Sequence, residues 1–420
     1  MRHAFGPLNA KGSPSVRHNK LGTMRACTVA PPHLNRLVNE ARNHVCADEE
    51  IPSAMSLPQA PHSAVSQWHA HRQALTLAVS AEESEDVRQA VKWLSTAEDG
   101  FDRGGFLSQH GLAAIAARRL RSWGKLSQIP ENVSELLSNE LRTASVIYLA
   151  QVHWLAVIVN SLERHDISYV VFKGASVREA VYDIPSNRVA CDIDLLIHPQ
   201  SRAEVTERLT QCGFNEQPAS QDSAHERTFS NGNVDIDVHW EILRPGRTRR
   251  PMVDSILADR VRGAKFHCPS NADTVFLMLV HPAFAKYVCS PHMGLNRVLD
   301  FVLFTNGREI DWDAVATRLD ETGMKAAGWC TLRWFQHVTP VPLAVPVSFV
   351  DAISPGKFRR AYLAFWIAHD LPGRLLGRCD WLIRGAFTLL LHDRADDAWR
   401  ALRARLRPHA VARSQGAGIV

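Results

Sequence analysis

Asp192-Ile193-Asp194-Leu195-Leu196-Ile197 decides how this chain is read. Side chains alternate along a strand, so Asp192 and Asp194 point to one side while Ile193 and Leu195 face the other. Two carboxylates that converge repel one another unless a cation neutralises them. Hard oxygen donors of this kind suit magnesium, with the remaining positions left to water and phosphate oxygens. The same parity holds in Val234-Asp235-Ile236-Asp237-Val238-His239-Trp240, where Asp235, Asp237 and His239 share one face. A third carboxylate is thus at hand on a second strand, although parity does not separate Asp235 from Asp237. In two-metal phosphoryl transfer, ions about 3.5–4 Å apart hold the attacking and leaving oxygens. Asp192 and Asp194 are expected to bridge both ions, with Asp237 on the second. His239 and Trp240 read as packing residues.

Residues 167–172 (ISYVVF) form an expected strand that runs into Lys173-Gly174-Ala175-Ser176, and residues 175–182 an expected helix. Backbone N–H groups between a strand and a helix can meet a triphosphate at the positive helix end, and glycine permits the close approach. Lys173 would add a point charge to the phosphates, and Arg188 a planar fork. After the Asp strand, Pro199 is a stop. Ser201 with Glu204 reads as a capping box opening a helix over 202–212, which Gly213 ends. Two further strands, 225–230 and 234–243, flank Asn231-Gly232, a dipeptide suited to a tight hairpin turn.

Outward from this centre the period is helical. Residues 83–94, 111–123 and 131–163 are expected helices. In the last, Leu137, Leu141, Ala144, Tyr148, Val152, Leu155, Val159 and Leu162 recur three or four apart. Beyond 260, Ser270 with Asp273 caps a helix reaching about 286, and residues 296–304 and 312–322 make two more. Residues 358–407 are aromatic and arginine-rich, with Trp399, Leu402 and Leu406 on one apolar stripe. Core packing with an exposed arginine face is the expected role of that region, rather than a membrane surface. Residues 1–82 are rich in Pro, Ser, Ala and His without hydrophobic periodicity, and read as a disordered extension. Translation starting at Met24 or Met55 is the plain alternative. The chain therefore divides into an extension (1–82), a helical region (83–165), a mixed-sheet core (166–262) and a helical C-terminal region (263–410).

At 420 residues and 45% hydrophobic content the chain can bury a large core. A net charge of +5 tolerates nucleotide phosphates but falls short of a nucleic-acid coat. The eight cysteines lie far apart with no Cys-x-x-Cys pair, which favours reduced thiols and a cytoplasmic location. No run of eighteen uncharged apolar residues marks a membrane span.

Three segments together carry a resemblance: Phe172 to Gly174 (F-K-G), Arg188 to Ile197 (R-x-x-x-D-I-D-L-L-I) and Asp237 to Trp240 (D-V-H-W). In them the chain resembles the uncharacterised nucleotidyltransferase family of bacteria, a branch of the DNA polymerase beta-like superfamily. The likeness covers roughly residues 85–410, including the Arg297 and Asp300 segment. It implies an α+β fold, a polymerase beta-like mixed sheet with flanking helices between N- and C-terminal helical regions. The activity it implies moves a nucleoside monophosphate from an NTP, ATP among the candidates, to an acceptor, with Mg2+ (or Mn2+) as cofactor. The acceptor, a small molecule, peptide or protein, is not named by it. Asp237 is chosen over Asp235 because it carries the family's Asp-x-His-Trp context. Where the superfamily places Gly-Ser, this sequence has Gly174-Ala175, with Ser176 one position later.

Two other functions compete. A toxin-type enzyme acting on transfer RNA would need a basic groove, for which Arg244, Arg247, Arg249 and Arg250 are candidates. A nucleotide-binding scaffold without turnover would keep the fold alone.

Overall fold

The computed structural model describes Val38 and residues 64–96, 101–218, 225–285, 288, 294–371 and 380–406. Helices α1 (Ala64–Val79), α2 (Glu85–Ser95), α3 (Arg103–Gln109), α4 (Ala113–Ser122) and α5 (Glu131–Arg164) lead the chain. The expected extension is therefore corrected over α1, where Ala70, Ala74, Leu75, Leu77 and Ala78 are buried. Alanines intermixed with His, Gln and Thr gave this helix a polar look, yet small side chains let it pack closely on α2 and α4. The rest of that segment, Val38 and residues 80–82 apart, lies outside the described residues.

Helix α5 is the spine. At about 1.5 Å per residue, a helix of this length spans roughly 50 Å. Its first half sends Leu137, Leu141 and Ala144 into the core beneath the surrounding helices. Its second half sends Trp154, Ile158 and Leu162 into a separate core beneath the sheet.

That sheet is built from β1 (Tyr169–Phe172), β2 (Asp192–Ile197), β3 (Asn215–Glu216), β4 (Glu226–Ser230) and β5 (Asp235–His239). Helix α6 (Lys173–Val181) follows β1, and α7 (Arg202–Gln211) follows β2. The strand order is β1-β2-β5-β4-β3, with β2 and β5 parallel and the other pairs antiparallel. The expected α+β class with a mixed sheet holds. Strand parity separates two faces: Tyr169, Val171, Ile193, Leu195, Ile197, Ile236 and Val238 enter the α5 core. Val170, Phe172 and Leu196 face the helical core on the other side, the side that also bears the carboxylates.

Local chemistry sets the joints. Gly232 adopts φ +84°, and Asn231 Oδ1 accepts from the backbone N–H groups of Asn233 and Val234, closing the hairpin. The expected capping box at Ser201 does not form. Instead a 3₁₀ turn (Pro199–Ser201) leads into α7, and His198 Nδ1 accepts from the Gln200 N–H.

Beyond the sheet come α8 (Val253–Ala258) and the small ribbon of β6 (Val261–Arg262) with β7 (His267–Cys268). Helices α9 (Asn271–Ala285), α10 (Asn296–Gly307), α11 (Trp312–Thr322) and α12 (Lys325–Val338) form the C-terminal core, which α13 (Val347–Ala352), α14 (Lys357–Ala368), α15 (Asp380–Leu389) and α16 (Ala395–Leu406) extend. Asp311 caps α11 at its start, and Gly323 at φ +74° ends it. On α16 the expected apolar stripe is only partly realised, because Trp399 is half exposed with the Arg403 guanidinium 5.0 Å from its ring.

Candidate active site

Parallel pairing of β2 with β5 sets Asp192 opposite Asp235 and Asp194 opposite Asp237, all on one face. Antiparallel pairing of β4 with β5 then brings Thr228 opposite Asp237 and Glu226 opposite His239. Donor oxygens of Asp194 and Asp237 and a ring nitrogen of His239 lie within 4.8 Å of one another. Asp192 and Asp235 sit one step nearer the strand starts, outside that tight group.

Asp194 is buried and holds two cationic neighbours. Lys173 Nζ donates to its Oδ1 at 2.5 Å, and His239 Nε2 lies 2.9 Å from the same oxygen. Burial by itself would raise the Asp194 pKa; the charges of Lys173 and His239 outweigh it and hold the carboxyl below its ordinary value. Burial likewise opposes the charge on Lys173, but Asp194 and Asp192 keep its pKa raised. Asp237 goes the other way: burial and the negative charge of Asp194 push it up, although the Thr228 hydroxyl donates to its Oδ1 at 2.6 Å.

His239 was expected to be a packing residue, and here the expectation is corrected. Its ring packs edge-on against Phe172 at 5.1 Å, but its nitrogens face two carboxylates, Asp194 and Glu226. Burial and Lys173 oppose its protonation, and the two carboxylates overcome both, raising its pKa. Glu226 is half-buried and would rise, yet His239 and His225 hold it well below the carboxylate range. Trp240 is half-buried, with the Arg202 guanidinium 3.8 Å from its ring.

The Lys173 to Ser176 turn opens α6 as a sharp corner. Lys173 has φ +53°, a left-handed conformation that a non-glycine residue adopts at a cost of about 1–2 kcal/mol. No side chain caps the first turn of α6. A Cβ on Gly174 would stand 3.3 Å from that of Ala190, so glycine here also lets α6 pack on the segment leading into β2. Ala175 is buried in the α5 core, and Ser176 is buried beside the Cys268 thiol. Their side chains therefore point into packing, which leaves the backbone N–H groups as the donors of this turn.

Arg188 is placed differently from its expected role at the phosphates. Its guanidinium is buried and grips Asp300 of α10 through Nε at 2.9 Å and Nη2 at 2.9 Å, while Tyr182 donates to the same carboxylate at 2.8 Å. Burial disfavours its charge, and Asp300 more than restores it. The arginine thus fastens the sheet core to the C-terminal helices.

Two of the arginines considered for an RNA groove have structural partners. Arg247 donates to the Phe284 carbonyl at 2.6 Å, and Arg249 pairs with Asp397 at 2.7 Å and with the Asp320 carbonyl at 2.9 Å.

Residues missed by sequence reading are Glu226, Thr228 and His225, all from β4 or its entry. The hairpin turn was a usable signal, because fixing the register of β4 on β5 puts Glu226 and Thr228 on the carboxylate face.

Comparison with curated proteins and with solved structures gives no match. A family model described as uncharacterised nucleotidyltransferase matches residues 106–340, from α3 through the sheet to the end of α12. With more than half of its length matched, the chain belongs to the uncharacterised nucleotidyltransferase family.

Proposed function

We propose that the protein transfers a nucleoside monophosphate from an NTP to an acceptor hydroxyl of a small molecule, peptide or protein, releasing pyrophosphate. The observation that carries this reading is the Asp194–Asp237 pair, in register across β2 and β5, beside a lysine at an uncapped helix start. Oxygen donors this close, with Asp237 pushed toward neutrality by burial and by Asp194, fit hard divalent ions such as Mg2+. Asp192, Asp194 and Asp237 would hold two such ions, which would neutralise the triphosphate and activate the acceptor oxygen.

The chain's own groups have distinct parts in this scheme. The first-turn N–H groups of α6 and the Lys173 ammonium bind and orient the triphosphate. Thr228 fixes the Asp237 carboxylate, and His239 fixes that of Asp194. The acceptor oxygen bonds to the α-phosphorus as the bond to pyrophosphate breaks, and the acceptor's proton passes to solvent water. Arg188, held by Asp300, stands beside Gly174 of the turn.

The test combines purified protein, Mg2+, labelled ATP, CTP, GTP or UTP, and lysate fractions as acceptors. Label transfer with pyrophosphate release is expected, and loss of both in Asp194→Asn and Asp237→Asn. Absence of transfer with every NTP, together with Mn2+ binding unaltered in Asp194→Asn, sinks the reading.

A further inference from the structure

The two nitrogens of His239 have different surroundings. Nε2 stands at Asp194 Oδ1, 2.9 Å away. Nδ1 turns to the other side, 3.0 Å from Glu226 Oε2, in a contact that misses hydrogen-bond geometry. On a residue only 1% exposed, this nitrogen has the Glu226 carboxylate as an ion-pair neighbour rather than a well-directed hydrogen bond. His225 Nε2 approaches the same Glu226 oxygen at 3.4 Å. One donor atom from each of His225, Glu226 and His239 lies within 4.8 Å of the others.

Two imidazole nitrogens and one carboxylate oxygen are the donor set of a borderline divalent ion of the Zn2+ class, whereas Mg2+ prefers oxygen alone. Bonds of about 2.0–2.1 Å arranged tetrahedrally hold donor atoms roughly 3.3 Å apart. The contacts at 3.0 and 3.4 Å bracket that spacing. A metal-bound histidine also donates its second N–H to a carboxylate, and Asp194 already stands at Nε2. The electrostatics favour a further cation: Asp192, Asp194, Asp235, Asp237 and Glu226 crowd one face of the sheet.

We propose that His225 Nε2, the Glu226 carboxylate and His239 Nδ1 form a third cation site, for a Zn2+-class divalent ion. It shares no donor atom with the oxygen set of Asp192, Asp194 and Asp237. Binding there locks His239 in the tautomer whose Nε2–H points to Asp194. His239 is thereby a positioning residue for the reaction centre, and the site stands whatever the acceptor is.

Co2+ is the probe, because its visible ligand-field bands report nitrogen coordination in a four- or five-coordinate site. The full chain, held in excess Mg2+ to occupy the aspartates, is titrated with Co2+. A stoichiometric, band-producing complex that Zn2+ competes away is expected. His225→Ala and Glu226→Gln, shown folded by circular dichroism, should weaken Co2+ binding by more than the roughly 10–100-fold that loss of an outer-shell partner costs. Asp194→Asn removes only such a partner, so its bands persist with affinity about 10–100-fold weaker. The site is overturned if the wild-type chain gives no bands in excess Mg2+, or if the folded His225→Ala and Glu226→Gln variants bind Co2+ as the wild type does. Bands lost in Asp194→Asn but kept in His225→Ala would also overturn it, by locating the ion at the aspartates.

Discussion

Asp194 and Asp237 stand directly opposite one another on parallel strands, yet their carboxyls are driven in opposite directions. Lys173 and His239 both reach Asp194, whereas Asp237 is left with a threonine hydroxyl and the repulsion of its neighbour. Replacing each by asparagine should therefore separate stability from activity. Without divalent ions, Asp194→Asn leaves Lys173 and His239 short of a counter-charge and should destabilise by about 3–5 kcal/mol, nearer the low end because Lys173 is partly solvated. Asp237→Asn removes like-charge repulsion and should be neutral to stabilising. Both should abolish nucleotidyl transfer. Urea unfolding in EDTA alongside a pyrophosphate assay distinguishes them, and an Asp237→Asn variant as unstable as Asp194→Asn would contradict this account.

The left-handed backbone at Lys173 separates a conformational effect from a charge effect. Lys173→Ala and Lys173→Gly remove the same ammonium, but only glycine relieves the strain. The glycine variant should be the more stable by about 1 kcal/mol, while both lose transfer to a similar degree. Equal midpoints in thermal unfolding would show that the corner is unstrained.

Arg188 and Asp300 lie far apart in sequence and are both buried. Arg188→Met or Asp300→Leu alone strands a buried charge, at a cost of about 3–5 kcal/mol. The double variant should lose clearly less than the sum of the single losses. Additive losses in a double-mutant cycle would remove the pair as the fastening between the sheet and α10.

Acid sensitivity should come from buried histidines, among them three outside the reaction centre. Burial pushes His110 and His392 down to about 4, and His71 is lowered by burial together with His110 and His337. Below the ordinary histidine value the unfolded chain binds protons that the folded chain refuses, so stability falls as pH drops. The loss begins near pH ~6.5 and continues to about 4, with each such group contributing roughly 1.4 kcal/mol per pH unit. His110→Gln should flatten the stability profile measured by urea unfolding across that window; an unchanged slope would assign the acid loss elsewhere.

Arg249 should matter for stability and not for RNA. Arg249→Ala leaves the buried Asp397 with Arg400 as its one ion-pair partner among the described residues and should lower the melting temperature, with RNA affinity and its salt dependence unaltered. A gel shift weakened by this substitution alone would revive the RNA reading.

What the sequence determined is what alternation and adjacency control. Strand parity placed Asp192, Asp194, Asp235 and Asp237 on common faces, and helical periodicity marked α5 and α11. The strand, Lys-Gly, helix, Asp-x-Asp order was legible because each element is specified by residues within a few positions of one another. Tertiary structure decided the partners. Which aspartate faces Asp194 depends on the β2–β5 register, and which side chain neutralises it depends on a lysine at the start of α6 and a histidine at the end of β5. The Arg188 grip on Asp300 and the burial of α1 were likewise invisible to local reading. Ion pairing and burial are settled by whichever surfaces finally exclude water together, and one-dimensional spacing carries no record of that distance.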